Sequence, residues 1–176
     1  PDILSVHISS GLSGTFNAAR AGADLVPEAN ITLVDTKTLS AAAGWQVEAA
    51  ARAAKAGWPI DQILALLERI GNASDSMYTL DELKYLIHGG RISHMKGLIA
   101  SILSLKPMIG VEKVNGTYEQ LGQNRTFKRA LKGLVDLVAS QHVPGSALQK
   151  ALIQGADETL STILQSRLCG RGGAGF

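Results

Sequence analysis

Ile3, Leu4, Val6 and Ile8 make residues 3–8 a short, β-branched and nearly continuous apolar run, and Ile31, Leu33 and Val34 make a second over 31–34. Short apolar runs without strict alternation fit strands buried on both faces of a parallel sheet. The first run ends in Ser9, Ser10, Gly11, Leu12, Ser13, Gly14 and Thr15, and a helix-forming stretch from Phe16 to Ala21 follows. That connection is long enough for a crossover helix, so residues 3–34 predict a βαβ unit. An alanine-rich helix is expected over 40–56, stopped by Gly57. The next begins at Pro59 with Asp61 in its first turn, and Ile60, Ile63, Leu64 and Leu67 recur on one face. The loop over 71–76 is the best candidate for a domain boundary.

The pattern changes beyond that loop. Thr79 and Glu82 have capping-box spacing ahead of an apolar face of Leu83, Leu86 and Ile87, with Gly89 and Gly90 as the stop. Ser93 is placed to cap a further helix that packs Leu98, Ile99, Ile102 and Leu103 inward. Pro107 bars helix through Leu105 and Lys106. Residues 108–114 and 117–121 flank Asn115 and Gly116, a two-residue hairpin signal. A helix over 126–140 and a strand over 151–154 complete the series. The expected fold class is α/β, a Rossmann-like parallel βαβ part followed by a smaller α+β domain. The expected divisions are 1–72, 73–168 and a flexible glycine-rich tail, 169–176. No internal repeat is present.

Composition narrows the function classes. The 176 residues are 45% hydrophobic and 18% charged, the balance of a globular chain. Seventeen basic and 15 acidic residues are scattered, with no basic run to track phosphates, so nucleic acid is not an expected partner. Cys169 is the sole cysteine and reads as an incidental tail residue, so no internal disulfide is available. The sequence shows neither an apolar stretch of about 18 residues nor a signal-peptide pattern, and a cytoplasmic location is expected. The chain opens on Pro1 and Asp2 directly before the first strand, so further residues are expected to precede it.

The turn over 9–15 concentrates the candidate chemistry. It sits where a parallel strand meets a helix N-terminus, with free backbone N–H groups and partial positive charge. Gly11 and Gly14 allow close approach, and Ser9, Ser10, Ser13 and Thr15 add neutral donors. One hydroxyl would suffice for an N-cap; four exceed that need. A carboxylate or a phosphate fits such a turn, and ligands of open sheets gather at the carboxyl ends of strands. Two alternatives are a phosphate-bearing metabolite and a serine hydrolase. Residues 11–15 half-match the nucleophile elbow with Ser13 as nucleophile, the second glycine displaced by one. An acid and a base would come from Asp35, Asp81, His88, His94 or His142, but no spacing singles any out. No histidine pair has metal-ligand spacing, so no metal or other cofactor is expected.

The serine turn and three later stretches together resemble the DegV family of bacterial fatty-acid-binding proteins. These are Val34, Asp35, Thr36 and Lys37; then Leu80, Asp81, Glu82, Leu83, Lys84, Tyr85 and Leu86 leading to Gly89, Gly90, Arg91, Ile92 and Ser93; then Leu105, Lys106 and Pro107. Order and spacing match over residues 2 to about 140. The resemblance implies a two-domain protein of the EDD fold, with a ligand slot between the domains and the acyl tail in an apolar channel. It places Ser13 on the fatty acid carboxylate, and the turn itself offers Ser9, Ser10, Gly14 and Thr15 as further ligand-binding candidates; Arg91, after two glycines, is a helix C-terminal cation or a site of anion recognition or partner docking. It also implies a lipid carrier, not an enzyme; some members of the family present the bound fatty acid to a separate fatty acid kinase. The family pattern has an upstream Thr-Ser turn and a final His-containing glycine-rich segment that this sequence lacks, so the chain reads as a fragment.

Arg125, Lys128 and Arg129 open the helix over 126–140, where the dipole disfavours cations. A solvated face explains them; docking to a kinase, or transient contact with an anionic membrane surface, is the functional alternative. Asp35 and Thr36 end the second strand beside the serine turn, placed to line the pocket, or for Asp35 to cap the next helix. Trp45 and Trp58 are expected in the core.

Overall fold

The computed structural model describes residues 2–82, 88–89 and 105–141. Arg91, His94, His142, Cys169, the helical face expected at Leu83, Leu86 and Ile87, the helix expected after Ser93, the strand over 151–154 and the tail over 169–176 lie outside the described residues.

The first half is a βαβ unit. Strand β1 (Ile3–His7) pairs in parallel with β2 (Ile31–Asp35) in the register Ile3 to Ile31 and His7 to Asp35, and α1 (Thr15–Asp24) makes the crossover. Helices α2 (Ser40–Lys55) and α3 (Ile60–Ala73) follow, close to their predicted bounds. Their contact forms the first core, Ala50, Ala53, Ile63 and Leu67, onto which Leu4, Val6 and Val34 pack from the sheet. The alanines of α2 let α3 approach closely, and Ile63 and Leu67 each stabilise the contact by about 1.5–3 kcal/mol. Helix α3 runs three residues into the loop expected at 71–76.

Burial on both faces of β1 is not found. Ile3 is exposed and the other residues are half-buried. Among the described residues the sheet has two strands, and Leu4 and Val6 border an open groove with Val47, Trp58 and Ile63. Trp45 and Trp58, expected in the core, lie at the surface, 54% and 46% exposed. Core space between α2 and α3 is filled by alanines and aliphatic side chains, and the indole of Trp58 lies instead along the groove.

Beyond α3 the described residues form an antiparallel sheet in the order β3-β4-β5, made of β3 (Met77–Thr79), β4 (Lys106–Val111) and β5 (Tyr118–Asn124). Thr79 therefore does not open a helix: it ends β3, opposite Met108. Cross-strand pairing of Met77, Tyr78 and Thr79, with Tyr78 edge-on to Tyr118 at 6.1 Å, outweighs the local capping signal. Burial, then the Tyr118 hydroxyl, pushes the Tyr78 phenol far above its ordinary pKa. Leu105 and Lys106 are non-helical as Pro107 requires, and Pro107 pairs with Gln123 of β5 one residue beyond the end of the β3 ladder.

The hairpin between β4 and β5 is wider than the two-residue turn expected at Asn115 and Gly116. The last ladder pair is Val111 with Tyr118, the Glu112 N–H donates to the Thr117 carbonyl at 3.0 Å, and the Gly116 N–H donates to the Glu112 carbonyl at 3.0 Å. Only Gly116 of the pair has positive φ, 66°, so the turn needing two such residues does not form. Helix α4 (Phe127–Gln141) packs on this sheet with Ala130 fully buried. Among the described residues the protein is mixed α/β, with a parallel two-stranded sheet and a separate three-stranded antiparallel sheet.

Candidate functional site

The turn between β1 and α1 divides its hydroxyls between inside and outside. Ser9 is fully buried. Its hydroxyl donates to the Gly116 carbonyl at 2.7 Å and accepts from the Gly11 N–H at 3.2 Å. Ser10 anchors to the end of β2: its hydroxyl donates to Asp35 Oδ2 at 2.5 Å and its N–H to Oδ1 at 3.1 Å. Ser13 and Thr15 point elsewhere. Their hydroxyls pair at 2.7 Å on the surface, and the Thr15 N–H donates to Ser13 Oγ at 3.3 Å. Gly14 lies between them, exposed, as the N-cap of α1, with no side-chain cap. The first-turn N–H groups of Phe16 and Asn17 have no intrahelical acceptor. Ser13, Gly14, Thr15 and this first turn thus present two hydroxyls and backbone donors around a partial positive charge.

Asp35 fixes the neighbouring strand end. It accepts from Ser10 twice, from the Lys37 N–H at 3.1 Å, and pairs with Lys37 Nζ at 3.2 Å. Burial works to raise its pKa, but the Ser10 hydroxyl, the two backbone N–H groups and the Lys37 side chain outweigh it and hold the carboxyl below its ordinary value. Asp35 does not cap α2, whose N-cap is Leu39. Asp35 and Thr36 line a cavity of about 230 Å³ with Lys37, Gln46, Leu67 and Lys113.

The other candidates are dispersed. Arg125, Lys128 and Arg129 are exposed around the start of α4, without an ion pair to another described residue. Among the described residues no histidine is hydrogen-bonded to Ser13, and His7 Nε2 pairs with Ser5 Oγ at 2.7 Å. Among them, too, no cluster of three or more His, Cys, Asp or Glu could hold a metal, and no helix is long and apolar enough to cross a membrane.

Sequence reasoning missed the hairpin tip. Asn115 and Gly116 press on the serine turn, and a Cβ on Gly11 would meet the Asn115 carbonyl oxygen at 2.6 Å. The Asn-Gly pair signalled a turn; nothing local signals where it docks.

The sequence model of the DegV family, described as one of uncharacterised proteins, matches residues 1–172. The chain belongs to the DegV family. A DegV domain-containing protein of Deinococcus radiodurans is 35% identical over 167 residues, 92% of this chain and 58% of the relative. Among solved structures, the fatty-acid-binding DegV family protein of Thermus thermophilus matches with a TM-score of 0.67 at 30% identity, covering 79% of this chain and 49% of the other. DegV of Bacillus subtilis, a fatty acid binding protein, matches with a TM-score of 0.65 at 30% identity and the same two coverages. The chain spans about half the length of these DegV relatives.

Proposed function

We propose that this chain takes part in binding a long-chain fatty acid, with the carboxylate at Ser13, Gly14 and Thr15. The observation that carries the reading is the exposed Ser13–Thr15 hydroxyl pair at the N-terminus of α1, in a chain whose DegV relatives of known structure bind fatty acids. A carboxylate is an acceptor-only anion, and that end of α1 offers neutral and backbone donors without a competing acid. Ser9 and Ser10 serve the same ligand indirectly, one tying the turn to the hairpin and the other tying it to Asp35. The protein is then a carrier working in the cytoplasm, not an enzyme. No cofactor enters the scheme, and the fatty acid is the ligand.

Presentation to a fatty acid kinase is the onward step of this proposal. Arg125, Lys128 and Arg129 supply an exposed cationic face against the α4 dipole, suited to an acidic partner surface or to transient contact with an anionic membrane. Arg91 is assigned to that transfer rather than to lipid affinity, so Arg91→Ala should slow kinase-coupled phosphorylation while leaving the dissociation constant for palmitate nearly unchanged. A collapse of palmitate affinity in Arg91→Ala would reverse the assignment. Native mass spectrometry of the purified protein tests the main proposal: a bound fatty acid is expected, and a protein that is empty and also ignores added palmitate would overturn it.

A further inference from the structure

The hairpin tip and the serine turn belong to different sheets, yet they meet through a buried hydroxyl. The Ser9 hydroxyl donates to the Gly116 carbonyl at 2.7 Å, while the Ser9 carbonyl accepts from the Leu12 N–H at 3.0 Å and the Ser13 N–H at 3.1 Å. Ser9 therefore holds the tip with its side chain and the Ser13 backbone with its main chain. The fit is close: a Cβ on Gly116 would overlap Ser9 Oγ and come within 2.9 Å of Lys37 Cα. Gly116 also has φ of 66°, a conformation that side chains rarely adopt.

The tip has its own internal frame. The Glu112 carboxylate accepts from the N–H groups of Val114 at 2.8 Å, Asn115 at 2.9 Å and Thr117 at 3.2 Å, and from the Thr117 hydroxyl at 3.0 Å. Glu112 thereby orients the peptide whose carbonyl meets Ser9. The path runs from the Glu112 carboxylate to the Gly116 carbonyl, to Ser9, to the Ser13 N–H.

We propose that Ser9 and Glu112 are positioning residues: the hairpin tip, acting through Ser9, sets the place of the Ser13 hydroxyl and so the affinity for the ligand's carboxylate. This rests on the carboxylate-binding reading above and adds to it a contribution from the second sheet. A positioning role differs from a general structural one in what it spares. Displacing Ser13 weakens the grip on the head group and leaves the acyl tail's contacts alone.

The test compares palmitate with hexadecanol, which has the same chain length and no carboxylate, by binding isotherms on wild type, Ser9→Ala, Glu112→Gln, Ser13→Ala and the Ser9→Ala/Ser13→Ala double variant. Wild type should prefer palmitate. Ser9→Ala and Glu112→Gln should each lose about three- to tenfold in palmitate affinity, the scale of one neutral hydrogen bond, with hexadecanol unchanged. In the Ser13→Ala background, Ser9→Ala should cost nothing further, since its effect runs through Ser13. If Ser9→Ala does not fold, Glu112→Gln, altered at the solvent side of the tip, carries the same expectation. Equal losses for both ligands, or no loss for either, would overturn the positioning role while leaving the carboxylate reading in place. A wild type without preference for palmitate would overturn both.

Discussion

Asp35 shows what a single carboxylate does for the candidate site. It collects the Ser10 hydroxyl, two backbone N–H groups and Lys37, and so ties the serine turn to the end of β2. Asp35→Asn keeps the shape but loses the charge-assisted bond from Ser10, and should lower stability by about 1.5–3 kcal/mol in chemical denaturation. The depressed pKa gives a direction in pH. The unfolded carboxyl titrates near ~3.9, so the stabilisation is fully present above that pH and is lost as pH falls through the lower folded value. Wild type should therefore lose stability on acidification below about pH 4, and Asp35→Asn should show a shallower loss over the same range. The residue types of this site were legible in sequence, since four hydroxyls and two glycines stand together between a strand and a helix. Their division of labour was not. Whether Ser9 faces a ligand or a carbonyl depends on Gly116, 107 positions away, and no local pattern carries that information.

At the scale of elements, periodicity served best where the local signal and the tertiary contact agree. Helix α3 shows its Ile63 and Leu67 face in sequence and buries it, and the run 31–34 becomes β2 nearly unchanged. It failed where they compete: Thr79 carried a capping-box spacing, but Met77–Thr79 had β4 to pair with, and the ladder prevailed. The Asn115-Gly116 turn was found and its width was not, because the four donors gathered by Glu112 set the loop. Helix α4 keeps three cations near its positive end, an arrangement that costs stability. Replacing Arg125, Lys128 and Arg129 together by alanine should leave the melting temperature unchanged or slightly higher. If the cationic face docks an acidic partner, the same variant should weaken kinase association and flatten its dependence on salt. Unchanged association at low salt would remove the docking role.

For the whole molecule, the contact of α2 and α3 with the parallel sheet determines whether the serine turn has a platform. Leu67 is 2% exposed in that core, and Leu67→Ala should destabilise the protein by about 2–5 kcal/mol, read as a lower denaturation midpoint. Fatty acid binding should weaken only as far as the folded fraction falls, which separates scaffold from site. The family shares this scaffold, and its solved fatty-acid-binding members place the likeness at the level of fold and sequence together. One hydroxyl on that scaffold, that of Ser13, is proposed to hold the carboxylate, and palmitate isotherms on wild type and Ser13→Ala test its role. Loss of a hydrogen bond to a charged group predicts affinity roughly ten- to a hundredfold weaker in Ser13→Ala, with the fold intact by circular dichroism. A folded Ser13→Ala variant that binds palmitate as tightly as wild type would show that the Ser13 hydroxyl does not hold the carboxylate.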